Sequence, residues 1–116
     1  MDTSLHYLIV ALSIVVDIIL YAVVARSATG KVGPNAFLGI RTKATRKNDK
    51  TWLAAHVAAY PLMRDTALAN ATLLIVSLFL PAEYQAYLVE VASGALLVGV
   101  IFAGVQGQKA AKAADV

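Results

Sequence analysis

Three long apolar stretches limit what this chain can become. From Leu5 to Ala25, 21 residues carry a single charge, Asp17. A helix of that length, rising ~1.5 Å per residue, crosses the ~30 Å hydrocarbon layer of a bilayer. A second run, Thr66 to Leu80, is free of charge over 15 residues, which at ~1.5 Å each is too short to span. The second span is therefore expected to begin at Pro61 or Leu62, where proline suits a first helical turn and Arg64 can snorkel to the interface. A third run from Glu83 to Val105 is interrupted only by Glu90, and Tyr84 and Tyr87 lie where an interfacial aromatic belt belongs. Composition agrees: 15% of residues are charged, against roughly 25% in a soluble domain.

The expected fold is an all-α membrane protein of one domain. Its three transmembrane helices fall at about 5–25, 61–80 and 83–106, with a loop region at 26–60 and a tail at 107–116. The first run is read as an uncleaved span, since Asp2 precedes it and Arg26 follows it, opposite to a signal peptide. Gly30, Gly33, Pro34 and Gly39 mark the segment after Arg26 as loop. A helix start is expected near Asn48 or Asp49, leading into a short amphipathic interfacial helix with Trp52, Leu53, Val57 and Tyr60 on one side. This helix and the second span can also be one long helix kinked at Pro61. The tail, made largely of Ala and Lys, is expected not to pack.

Eight of the ten Lys and Arg residues lie between Arg26 and Arg64, and the others are Lys109 and Lys112. Positive residues gather on the cytoplasmic side, so the expected topology is multi-pass in the plasma membrane with the N-terminus outside and the C-terminus in the cytoplasm. Topology accounts for this clustering, and nothing beside it calls for nucleic acid. The absence of cysteine excludes thiol and disulfide chemistry.

No enzyme constellation stands out. His6 and His56 fall on opposite sides of the membrane, no Ser, His and acid set shares one water-accessible place, and no phosphate loop is present. The expectation is a protein without catalytic residues, metal or cofactor, whose partners are membrane lipid and another protein. Asp17 is the costliest residue, since a carboxylate at mid-membrane costs roughly 2.5 to 3.5 kcal/mol on insertion scales. His6, Ser13, Asp17 and Tyr21 share one helix face, which marks that face as inward. Counting depth at ~1.5 Å per residue puts Asp17 level with Asn70 of the second span, while Glu90 lies too shallow to meet it. In the third span Ala95, Gly99, Ala103 and Gly107 recur every four residues, a smooth face for helix packing.

The most specific segment is Gly33-Pro34-Asn35-Ala36-Phe37-Leu38-Gly39-Ile40-Arg41-Thr42-Lys43-Ala44-Thr45, followed by Trp52 and His56. Gly33 and Pro34 force a turn, Asn35 can close it, and Gly39 permits backbone that other residues resist. Arg41 is expected to donate within the loop with Trp52 packed over it. Asn35, Gly39, Ile40, Arg41, Thr42, Thr45, Trp52 and His56 together resemble the SdpI family of small bacterial membrane proteins, whose hallmark is Asn, then Gly-Ile-Arg-Thr, a further Thr, and Trp and His beyond. The resemblance implies a non-enzymatic protein of immunity or signalling type that binds a peptide toxin, a repressor or a membrane complex through its cytoplasmic loop. The alternative is a small accessory subunit of a larger membrane complex.

Overall fold

The computed structural model describes residues 2–115. Three helices make up the architecture: α1 (Thr3–Ala28), α2 (Asp49–Ser77) and α3 (Ala82–Ala114). Asp2 caps α1 by accepting from the Ser4 amide, and the helix ends where Gly30 turns the chain at a φ of +79°. Asn48 opens α2 with a reciprocal box: its side chain accepts from the Thr51 amide at 2.9 Å, and the Thr51 hydroxyl accepts from the Asn48 amide at 3.1 Å. Pro81 stands at the head of α3 after a tight turn over Leu78 to Leu80.

Two sequence expectations need correcting. The short interfacial helix does not exist as a separate element, because α2 runs unbroken through Pro61. Proline removes one N–H and crowds the preceding turn, but α2 is gripped on both sides by its neighbours, and packing overrides the local break. The second correction concerns the tail, which continues α3 to Ala114 with Gly107 and Ala111 buried.

α2 is the central helix. It packs along both α1 and α3, which scarcely touch each other. Two apolar clusters hold the bundle, one of Val10, Leu74 and Ala92 and the other of Val24, Ala59, Met63 and Ala103. Between these levels α2 and α3 approach closely: a Cβ on Gly99 would collide with Thr66. The face α3 turns inward is Ala92, Gly99, Ala103, Gly107 and Ala111, whereas Ala95 is exposed. A strict step of four drifts ~40° per step from a 3.6-residue turn, and the step of seven from Gly99 back to Ala92 restores the phase.

α1 and α3 are long and apolar enough to cross a membrane, and only 17% of the most apolar window of each is buried in the fold. Leu8, Leu12, Ile18 and Ile19 on α1, and Leu97, Val98, Ile101 and Phe102 on α3, are turned outward. Side chains of this kind facing water on two whole helices would leave apolar patches far beyond what soluble proteins carry. Their setting is lipid.

Candidate functional site: the loop between the first two helices

Asn35 organises the tip of the loop. Its Oδ1 accepts from the amides of Phe37 at 2.9 Å and Leu38 at 2.7 Å, and its Nδ2 donates to the carbonyls of Gly33 at 3.0 Å and Leu38 at 3.1 Å. Both donors and both lone pairs of the amide are thereby used. Phe37 is left pointing away, 85% exposed.

Past the tip the chain folds under Trp52. Gly39 adopts a φ of +103°, and a Cβ there would stand 2.7 Å from the Trp52 ring and 2.9 Å from His56 Nε2. Glycine is required twice over, for its backbone and for its lack of a side chain. Trp52 is anchored by its indole N–H, which donates to the Val32 carbonyl at 2.9 Å. Its ring lies 4.3 Å from that of His56, centroid to centroid.

His56 ties the loop to α2. The Ile40 amide donates to Nε2 at 2.9 Å, and Nδ1 lies 2.8 Å from the Trp52 carbonyl. An amide can only donate and a carbonyl can only accept, so Nε2 carries the lone pair and Nδ1 the proton. The imidazole is neutral in this arrangement. It lies before Pro61, outside the apolar stretch of α2, and burial pushes its pKa below the usual histidine value, opposed in part by the bond to the Trp52 carbonyl.

Two threonines close the far side. The buried Thr45 hydroxyl accepts from the Thr42 amide at 2.8 Å and donates to the Ile40 carbonyl at 2.6 Å, and the Thr45 amide donates to the Thr42 hydroxyl at 3.2 Å. Thr42 also donates to Gln108 Oε1 on α3. Thr51 adds a further link, its hydroxyl lying 3.2 Å from the Thr45 carbonyl. Ile40 inserts its side chain beside Gly107 and packs against the apolar cluster of Val24, Ala59, Met63 and Ala103.

Seven of the eight motif residues are thus brought into one packed unit: Ile40, Thr42, Thr45, Trp52 and His56 are linked by hydrogen bonds, Gly39 lies under the rings, and Asn35 holds the tip. Arg41 is the exception and corrects the expectation for it: it is exposed and, among the described residues, makes no hydrogen bond or ion pair. Trp52 covers Gly39 and His56 instead. A neutral imidazole can be enclosed against an indole at small cost, whereas a guanidinium there would lose its hydration. Thr51, Val32 and Gln108 were not singled out by sequence reasoning. Only Thr51 had a readable signal, its place three residues after the capping Asn48.

The polar candidates on the helices lie apart from the loop. Asn70 Nδ2 donates to both Asp17 oxygens, at 2.7 and 2.8 Å, and both residues are buried, as their depths predict. The same face of α1 supplies two more contacts to α2: His6 Nε2 with the Ser77 hydroxyl at 3.0 Å, and Tyr21 with the Tyr60 hydroxyl at 3.0 Å. Glu90 is exposed on α3. His6 and His56 sit at opposite ends of the bundle.

No curated protein and no solved structure matches the chain significantly. The sequence profile of the SdpI/YfhL protein family matches residues 31–105, a stretch that takes in most of the loop, all of α2 and most of α3. With two apolar helices, the hydrogen-bonded loop and a profile match over more than half its length, the chain belongs to the SdpI/YfhL protein family.

Proposed function

We propose that this protein crosses the plasma membrane three times, N-terminus outside, and acts without catalysis, binding a peptide or protein through its cytoplasmic loop in an immunity or signalling role. The observation that carries this reading is the contrast within the loop. Its interior polar groups are joined to one another, while Phe37 stands 85% exposed at the tip. Arg41, Lys43 and Arg46 are exposed nearby without ion-pair partners among the described residues. An apolar anchor on a pre-ordered backbone, rimmed by cations, suits a partner segment that carries an apolar side chain among acidic residues. Pre-ordering lowers the entropic cost of binding.

The small-residue face of α3 would serve an immunity or signalling protein and an accessory subunit alike. That face is turned inward against α2 and the loop, so it is not free to receive a partner helix.

A photo-crosslinking residue at Phe37 should capture a protein in intact cells, and the same residue at Leu97 on α3 should not. Arg41→Glu combined with Lys43→Glu should abolish the Phe37 adduct while Trp52 fluorescence stays unchanged. Adducts to lipid alone, or a protein adduct indifferent to those charges, would count against the reading.

A further inference from the structure

A groove of about 360 Å³ opens between α1 and α2 at mid-bundle. Its walls are Ile14 and Ile18 of α1 and Leu68 of α2, and its floor is lowered by Ala67 and Ala71, whose side chains stop at Cβ. Ile18 and Leu68 are 59% and 62% exposed, so the groove is reached from the lipid side. Asp17 lies within it, 3% exposed.

The carboxyl has no counter-ion. Asn70 supplies it with two hydrogen bonds but no charge. Arg64 lines the same groove, yet its guanidinium is engaged by Asp65 at 3.0 Å and lies over the Tyr60 ring at 5.8 Å. Among the described residues no cation comes within salt-bridge distance of Asp17. An ionisable group held in hydrocarbon without a counter-ion is costly and points to a function. Tyr21, one turn along α1, lines the groove as well, and the face of an aromatic ring attracts a cation.

The geometry points to a site for a lipophilic organic cation: an ammonium on the Asp17 carboxyl beside Tyr21, with its apolar tail along Ile18 and Ile14. The Arg64 end of the groove is taken up by the charged Arg64 and Asp65 pair, so the apolar tail runs the other way, toward the N-terminal end of α1. A bare metal ion would find one carboxylate where hard cations want six or more oxygens. An anion would meet the carboxylate, and a neutral amphiphile would leave it unpaired. This inference is independent of the loop and of any partner bound there.

The test uses the full chain in micelles with labelled Ile and Ala methyls, titrated with dodecyltrimethylammonium and separately with dodecanol. The expected result is saturable shifts at Ile14, Ile18, Ala67 and Ala71 with the ammonium only. Asp17→Asn should weaken that binding at least about tenfold, the scale of a lost coulombic contact between unit charges near ~4 Å. Ala71→Leu keeps the carboxyl but fills the floor, and should weaken binding to a similar degree while the α-helical spectrum stays intact. Equal midpoints for the alcohol and the ammonium would overturn the inference. Unchanged affinity in either variant would do the same, as would shifts that spread over all lipid-facing methyls without saturating.

Discussion

Within the loop, His56 is the residue on which most else depends, because it accepts a hydrogen bond from one backbone amide and donates one to a backbone carbonyl. The bond accepted from Ile40 needs the neutral ring, since a protonated Nε2 has no lone pair left. Its pKa is lowered in the fold, whereas in the unfolded chain it stands near ~6.5. Below that pH the unfolded state binds more protons than the folded one, so stability is full above ~6.5 and falls as pH drops through the depressed folded value. Trp52, the only tryptophan, lies against His56 and reports the loop. Thermal melts followed by its fluorescence should lose midpoint as the pH falls below about 6.5, and His56→Gln should flatten that loss while lowering the midpoint at pH 7.5. Equal slopes in both proteins would remove His56 from this role. Gly39 gives a second prediction. Gly39→Ala meets both a positive φ and the Trp52 and His56 rings, and should cost at least about 2 kcal/mol. Gly30→Ala shares the positive φ but meets nothing within 4 Å, and should cost only about 1 kcal/mol. The motif as a whole was legible in the sequence, yet its wiring was not. Residue types announce what can donate, and Arg41 has the most donors, but only the packed structure shows that a smaller neutral ring fits under Trp52.

At the scale of the helix, α1 is held to α2 by a line of polar contacts, His6 to Ser77, Asp17 to Asn70 and Tyr21 to Tyr60. These lie on the face that the helical repeat predicts, and antiparallel helices of fixed rise place Asp17 opposite Asn70 by arithmetic alone. The Asp17 and Asn70 contact was readable because polar residues among apolar ones are few and their depth follows from counting, whereas the sequence named no partner for His6 or Tyr21. Asp17→Asn and Asn70→Leu should be non-additive in denaturant-melt stability, with a coupling of about 0.6 to 2 kcal/mol. Independent effects would mean that the pair does not hold the helices together. The continuity of α2 through Pro61 was one of two readings the sequence allowed. Proline reads alike at a first turn and inside a helix, and the deciding force is the burial of Ala55, Ala59 and Met63 on either side of it.

Taken whole, the molecule is 54 Å long and 20 by 18 Å across, so about 24 Å exceeds a ~30 Å hydrocarbon layer. The excess belongs to the loop end, since α1 and α2 are joined there by residues 29–48 and α3 runs past the loop to Ala114. At the other end only the short turn from Leu78 to Pro81 joins two helices. This projecting end is also where the end of α3 clamps the loop, through Gln108 to Thr42 and Lys47 to Asp115. Deleting residues 108–116 should therefore loosen the loop, seen as a red shift of Trp52 fluorescence, while α1 and α2 stay packed. The bulk of the projecting end carries the basic residues, and moving hydrated cations across the bilayer is opposed both by desolvation and by the charge rule. The topology proposed above rests on this one asymmetry: it keeps the loop of 29–48 and the end of α3 in the cytoplasm and turns Pro81 outward. Thr29→Cys, at the exposed start of the loop, should resist a membrane-impermeant maleimide in intact cells and react once the membrane is opened. For the outer side Glu83 is a better reporter than Gln85, because the Gln85 side chain is buried and Glu83 is exposed. Glu83→Cys should react in intact cells without permeabilisation. Labelling of Thr29→Cys from outside, with Glu83→Cys protected, would invert the orientation and place the loop where no cytoplasmic partner can reach it.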